Sequence, residues 1–234
     1  MRRWMMTAAL LLAMGTPLPA WADDTADCLD PGDALIKTEP ARVVSACRRL
    51  ADHGIAVGQY NLGWMYYKGQ GVPQNYAEAI KWFRKSADQG SASAQFNLGL
   101  LYERGLGVPQ DYAEAVKWIR KAANQGYAHA QTNLGWMYQT GHGVPADYAG
   151  AVKWYRKSAD QGDAYGQSNL GVMYANGQGV PQDYVQAEMW FTLAANQGNI
   201  AAAKNRDLVA AKMTPSQIEK AQALAAAWKP TTGQ

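Results

Sequence analysis

The chain has 234 residues, 48% of them apolar, enough for one medium domain or one repeat array with a sizeable core. Its formal net charge is only +3, and loss of Arg2 and Arg3 would leave 20 cations against 19 anions. That balance argues against nucleic acid as a partner, because nucleic-acid binding needs a concentrated positive surface.

Residues 1–22 read as a secretory signal. Arg2 and Arg3 lead an apolar run from Met5 to Met14, broken only by Thr7, and Ala20-Trp21-Ala22 forms an A-x-A cleavage pattern. The run is far shorter than the ~20 residues needed to cross a bilayer. No later segment is apolar enough to span, so the mature chain is expected without a transmembrane segment, in the periplasm or secreted.

Residues 23–54 form an N-terminal cap. Its Cys28 and Cys47 are the only cysteines, and in an oxidising compartment they are expected to close a structural disulfide worth roughly 3 kcal/mol by loop entropy. The alternative, a metal or redox pair, has the wrong spacing and no histidine cluster nearby. Ala41 to His53 aligns with the second helix of the repeats that follow, but lacks their tryptophan.

Four repeats occupy 55–90, 91–126, 127–162 and 163–198. Pro73, Pro109, Pro145 and Pro181 stand 36 residues apart, as do Gly54, Gly90, Gly126, Gly162 and Gly198. The first helix of a copy places Gly58, Leu62, Met65 and Tyr66 on one face. The recurrent Gly63, Gly99, Gly135 and Gly171 inside these helices suggest close helix–helix approach. A Gly-x-Gly-Val-Pro link follows. It lacks the Lys-Ser/Thr of a phosphate loop, so it is read as a helix connection. Asn75, Asp111, Asp147 and Asp183 cap the second helices, with Glu78, Glu114 and Gln186 placed to complete capping boxes. These helices are expected to bury Tyr76, Ala79, Ile80, Phe83 and Ala87, with Trp82, Trp118, Trp154 and Trp190 as a column. Asn61, Asn97, Asn133 and Asn169 are expected to bond between repeats. Residues 199–230 supply capping helices, the last opening at Thr214-Pro215 and ending near Trp228. In the fourth copy Met189, Thr192 and Leu193 replace charged residues, which suggests cover by that last helix.

The unit Ala-Gln-x-Asn-Leu-Gly-x-x-Tyr-x-x-Gly-x-Gly-Val-Pro-x-Asp-Tyr-x-x-Ala-x-x-Trp, followed by Ala-x-Gln-Gly, resembles the Sel-1-like repeat, a relative of the tetratricopeptide repeat. Asn205-Arg206-Asp207 with Met213-Thr214-Pro215 resembles the closing segment of bacterial members. The resemblance implies an all-α, right-handed α-solenoid of tandem 36-residue helix–turn–helix repeats. It also implies an adaptor or scaffold role, as in secretion, signalling, polysaccharide export, flagellar motors or host contact. A cysteine-rich branch of the family is associated with penicillin binding and β-lactam hydrolysis. That branch carries a disulfide in each repeat, whereas cysteine here is confined to the cap.

Two surfaces are candidates for contact. On the concave face such arrays usually use, Tyr60, Trp64 and Tyr67, then Phe96 and Leu100 (with Glu103), then Trp136 form a stripe that varies between copies while core positions repeat. Aromatics of this kind dominate binding hot spots; alternatively they finish the core against the next repeat. On the second helices, Lys81, Arg84 and Lys85, Lys117, Arg120 and Lys121, and Lys153, Arg156 and Lys157 form a basic ridge. The ridge would suit an anionic wall polymer, or is simply a solvated helix face. The expected partner is another envelope or secreted protein, with an anionic wall polymer as the second class. No hydrolase or β-lactamase motif occurs, and neither a metal nor a cofactor is called for. His142, at a variable loop position, is expected to be exposed and idle, and Asp88 and Asp160 to be surface residues. The reading is a non-catalytic binding scaffold; the alternative is a cell-wall binder or enzyme acting on peptidoglycan or β-lactams.

Overall fold

The structure is a computed structural model and describes residues 24–29 and 38–231; the expected export signal lies outside the described residues. The helices are α1 (Asp24–Leu29), α2 (Pro40–Asp52), α3 (Ala56–Lys68), α4 (Tyr76–Asp88), α5 (Ala92–Arg104) and α6 (Tyr112–Asn124). They continue as α7 (Ala128–Thr140), α8 (Tyr148–Asp160), α9 (Ala164–Asn176), α10 (Tyr184–Asn196), α11 (Ile200–Ala210) and α12 (Pro215–Ala227). All regular structure among the described residues is helical, and no helix there is long and apolar enough to cross a membrane. The chain divides into two compact units: unit 1 runs to Ala94 and includes Leu106–Val108, and unit 2 comprises Gln95–Gly105 and everything from Pro109. Each is built of helix pairs repeating every 36 residues, in the manner of an α-solenoid.

Equal helix lengths follow from equal stops. Each of α3 to α10 has 13 residues. Gly69 ends α3 in the left-handed region at φ 70°, where a side chain is disfavoured. The link then turns back so that the Asn75 N–H donates to the Tyr66 carbonyl at 2.9 Å. In unit 2 the N–H groups of Asp147 and Asp183 do the same to Tyr138 and Tyr174. The expected caps form: the side chains of Asn75, Asp111, Asp147 and Asp183 accept from the backbone N–H three residues on, at 2.9–3.1 Å. The reciprocal half of the expected capping boxes does not. Glu78 turns to Lys81 at 3.4 Å, and Glu114 accepts from Lys117 at 3.2 Å and Trp118 Nε1 at 2.8 Å. A cation one turn on is a stronger partner for a carboxylate than one exposed amide. Among the described helices the full box closes at Thr214 and Gln217.

Second-helix side chains seat on first-helix glycine. A Cβ at Gly63 would lie 2.8 Å from the Phe83 ring, and one at Gly99 2.5 Å from Ile119 Cγ1. Gly135 and Gly171 face Tyr155 and Phe191 in the same way. These partners are essentially sealed from solvent. Trp82, Trp118 and Trp190 are buried, and Trp154 is half-buried.

Two polar devices tie successive pairs within each unit. In unit 1, Gln89 Nε2 donates to Gln59 Oε1 at 2.7 Å, and Gln59 Nε2 to the Ala51 carbonyl at 3.3 Å. In unit 2, Gln161 and Gln197 hold Gln131 and Gln167, which reach the Ala123 and Ala159 carbonyls. The second device is an arginine that donates to a tyrosine 18 residues on: Arg48 to Tyr66 at 2.7 Å, Arg120 to Tyr138 at 3.0 Å, and Arg156 to Tyr174. Gln59, Gln131 and Gln167 are buried, so the ladder satisfies amide groups that burial would otherwise leave costly.

Both ends are closed. At the start, Cys28 and Cys47 form the expected disulfide between α1 and α2, with Cα atoms 4.9 Å apart. Arg49 binds the Asp24 carboxylate through two nitrogens at 2.5 and 2.6 Å, and Arg42 binds Asp27 at 2.8 Å. The Arg49 hydrogen bonds hold the Asp24 carboxyl below its ordinary range. At the end, α12 lies against α10 as the apolar substitutions there suggested: Met189 is buried and Leu193 half-buried, packed with Leu224, Ala225 and Trp228. Trp228 meets Trp190 edge-on at 6.1 Å between centroids. Past α12, the Thr231 N–H donates to the Asp160 carbonyl at 2.7 Å. Asp160 is half-buried rather than a plain surface residue, and burial raises its carboxyl pKa against the opposing field of Arg156.

Glu188 breaks the core pattern. Its position holds Ile80, Val116 and Val152 in the earlier copies, yet Glu188 is 3% exposed and its Oε2 has no donor. Burial raises its pKa, Arg206 opposes this, and Asp207 adds to it. Arg206 stands where the previous copy has Leu170, and its guanidinium bonds Asp207 at 2.8 Å. Glu188→Val is expected to stabilise the protein at pH 7 by about 1–2 kcal/mol, because an incompletely satisfied buried carboxylate is replaced by the side chain this site holds elsewhere. A folded pKa above the unfolded value of about 4.3 means the wild type gains stability as pH falls through the folded pKa. The advantage of valine should therefore shrink towards pH 4. Denaturant melts at both pH values test this; a valine variant less stable at pH 7 would show that the charge pair is net favourable.

Candidate functional site

The first helices are nearly free of charge. Along α3, α5, α7 and α9 the charged side chains are Lys68, Glu103 and Arg104, with His129 as the one histidine. Their aromatic rings are half-buried, apart from Tyr165 of α9, which is exposed. In unit 1, Tyr60 packs on Phe83 at 5.7 Å, while Trp64, Tyr67 and Tyr76 run as a row with centroids 5.4 and 5.7 Å apart. Lys68 Nζ lies 4.9 Å from the Trp64 ring and 5.4 Å from Tyr67.

In unit 2 the stripe residues fall into two ring clusters. Phe96 meets Tyr127 at 5.4 Å and His129 at 6.5 Å. Trp136 stacks on His142 at 4.8 Å, with planes 12° apart, and His142 meets Tyr112 at 4.7 Å. His142 is thus half-buried between rings, not idle in solvent, because the loop folds back over α7. Half-buried Leu100 lies on the same helix as Glu103. Burial raises the Glu103 carboxyl, with the Asn133 side chain opposing, and its Oε2 has no donor. Of the recurrent asparagines, Asn61 donates to the Cys28 carbonyl at 2.6 Å, which ties α3 to the cap.

Asp163 is a polar hub that sequence patterning passed over. Its side chain is 5% exposed and lies 3.1 Å from His129 Nδ1. Its carboxylate accepts from the Gly166 N–H at 2.8 Å, with Thr132 Oγ1 at 2.7 Å and Ser158 Oγ at 3.0 Å. The available signal was its position: the other copies carry Ile55, Ser91 and Tyr127 there. A hydrolytic triad needs a hydroxyl bonded to the imidazole; here both hydroxyls bond the carboxylate instead. Among the described residues, no three His, Cys, Asp or Glu side chains converge as metal ligands.

The basic ridge is divided among structural tasks. Lys85, Lys121 and Lys157 place Nζ 4.3, 3.9 and 4.5 Å from the rings of Trp82, Trp118 and Trp154. Each lysine covers a tryptophan one turn back, a favourable cation–π placement. Arg120 and Arg156 hold the next tyrosine, and Lys81 and Lys117 pair with glutamates. Arg84 is exposed, as is Lys153, which has Gly150 in place of the glutamate.

A family model, the Sel1 repeat, matches residues 56–91, 92–127, 128–163 and 164–199. Among solved structures, the chain is 42% identical, with a TM-score of 0.77, to c5321, a protective antigen of uropathogenic Escherichia coli strains displaying an SLR fold. That similarity covers 81% of this chain and 41% of c5321, so the chain spans less than half of that protein. A Sel1 repeat protein from Oxalobacter formigenes is 32% identical with a TM-score of 0.69, over 82% of this chain and 83% of that one. The immunity protein Pa5087 from Pseudomonas aeruginosa shares the fold at 20% identity and a TM-score of 0.51, over 90% of this chain and 83% of that one. No curated protein matches. Four consecutive matches to one model, each over a helix pair built on the same glycine contact, settle the family: the chain belongs to the Sel1 repeat proteins.

Proposed function

We propose that this protein is a non-catalytic scaffold of the periplasm or cell exterior that holds another protein against its first helices. The observation that carries this reading is the contrast between the two helix sets. The second helices α4, α6 and α8 are dense in charge, whereas the first helices present half-buried Tyr, Trp and Phe with almost none. Depletion of charge with enrichment of aromatics is the composition of a protein–protein contact core. Trp64 with Tyr67 in unit 1 and Trp136 in unit 2 are the anchors. A cap closed by a disulfide suits an oxidising compartment.

Affinity capture from envelope extract, with the wild-type protein beside Trp64→Ala/Trp136→Ala, tests the reading. The variant is expected to lose a specific protein more than about tenfold, the effect of one or two hot-spot truncations, while far-UV helicity stays. Equal retention by both would place the contact elsewhere. Turnover of a wall fragment or β-lactam by the purified wild-type protein would replace the scaffold by an enzyme.

A further inference from the structure

The second helices hold a groove as well as charge. Lys117, Arg120, Lys121 and Asn124 stand at i, i+3, i+4 and i+7 on α6 and line a cavity of about 380 Å³. Its apolar part is formed by Ala113 and Val116, and its far wall by Gly143 and Val144 of the loop after α7. Lys117 and Lys121 are exposed, and Arg120 is half-buried, with Nη2 donating to the Tyr138 hydroxyl at 3.0 Å.

Beside the Glu114–Lys117 pair on α6, at 3.2 Å, which α8 lacks because Gly150 stands there, the copies differ in the last residue of the second helix. It is Asp88 in α4 and Asp160 in α8, but Asn124 in α6 and Asn196 in α10. In α8 the cations Lys153, Arg156 and Lys157 therefore end at a carboxylate, and the Asp160 backbone carries the bond from Thr231. In α10 the cations are gone, and α12 covers the site. Within unit 2, α6 combines three cations, one of them paired with Glu114, with an apolar floor and no terminal carboxylate.

We propose that this groove binds a short acidic segment of a partner protein, in which carboxylates flank an apolar side chain. The carboxylates would meet Lys117, Arg120 and Lys121, the Asn124 amide would donate to one of them, and the apolar side chain would rest on Val116 and Val144. A repeating polyanion needs cations that continue along its length, and in unit 2 the row stops at Met189, Thr192 and Leu193. This surface lies on the second helices, so it can fail while the first-helix reading stands, and the reverse.

The test is fluorescence anisotropy of a labelled peptide, acetyl-Asp-Glu-Leu-Glu-Asp, titrated with the full mature chain at low and at physiological salt. The expected result is binding that weakens with salt and falls about tenfold in Asn124→Asp, the effect of ~1.4 kcal/mol. That substitution only restores the residue present in α4 and α8. Lys153→Gln, on α8, is expected to leave binding unchanged. No binding of the peptide, equal binding by Asn124→Asp, or an equal loss in Lys153→Gln would each overturn the proposal. So would dextran sulfate binding more tightly than the peptide and indifferently to Asn124→Asp, which would mark a diffuse polyanion surface.

Discussion

Gly179→Ala is expected to destabilise the protein by about 2–4 kcal/mol, while the same change at Gly126 costs only about 1–2 kcal/mol. Both glycines lie in the left-handed region, at φ 70° and 88°. Each therefore bears the backbone strain of a side chain there, about 1–2 kcal/mol. They differ in surroundings. A Cβ at Gly126 meets nothing within 4 Å, whereas one at Gly179 runs into the Tyr148 carbonyl at the first turn of α8. Backbone cannot swing aside as a side-chain tip can, so the loop or the helix must shift, and such overpacking costs a further 1–3 kcal/mol or so. Gly143 abuts Tyr112 of α6, and Gly107 abuts Tyr76 of α4, in the same way. The second loop glycine is thus where each link rests on the preceding second helix. Chemical denaturation of the two variants beside the wild type measures the difference. Equal losses at both positions would mean that the contact carries no packing energy.

Opening the Cys28–Cys47 bond, by reduction or by Cys28→Ala/Cys47→Ala, is expected to cost about 3 kcal/mol. Helix α1 has only six residues, too few to persist alone. Its other ties include Arg42 with Asp27, Arg49 with Asp24, and the Asn61 amide on the Cys28 carbonyl. The first two are exposed on the arginine side, where ion pairs contribute little. Once the bond opens, α1 should leave the face of α2 that buries Val43, Ala46, Cys47 and Leu50. Backbone amides of α2 are expected to lose up to a hundredfold of their hydrogen-exchange protection, the equivalent of about 3 kcal/mol. Unchanged protection after reduction would show that the cap stands without the bond. The Asp24–Arg49 pair adds a pH term. The Asp24 pKa is depressed in the fold, so this contribution is present above the unfolded value of about 3.9 and is lost as pH falls through the folded one. Acid should therefore loosen the reduced cap further.

Much of the fold was legible because its determinants are local. Pro73, Gly69 and Asn75 act within a few residues of themselves, and their recurrence every 36 residues marks each helix pair. The glycine at Gly63 could be read as a close approach because a glycine in mid-helix needs a reason. Its partner, Phe83, lies 20 residues on, and only packing identifies it. The capping boxes misled because so short a pattern does not suffice. Glu78 and Glu114 satisfy that pattern, but the lysine and tryptophan in the next turn compete for the same oxygens. His142 looked idle because sequence shows it only as a variable loop residue, and the Trp136 and Tyr112 rings that enclose it lie 6 and 30 residues away.

The sequence by itself determined the helix pairs, their caps and links, the fourfold repetition and the identity of the end structures. Each of these depends on hydrophobic period, glycine conformation or capping chemistry within a single span of chain. Tertiary structure decided which polar and aromatic side chains are already engaged. The bonds from Gln161 to Gln131, from Arg156 to Tyr174, and from Thr132 to Asp163 join residues 18 to 31 apart. It also buried Glu188 in the core and set Lys117, Arg120, Lys121 and Asn124 of α6 beside Val144 of the loop after α7. Spacing along a helix shows which residues share a face, but only the packing of one helix on another shows what that face meets.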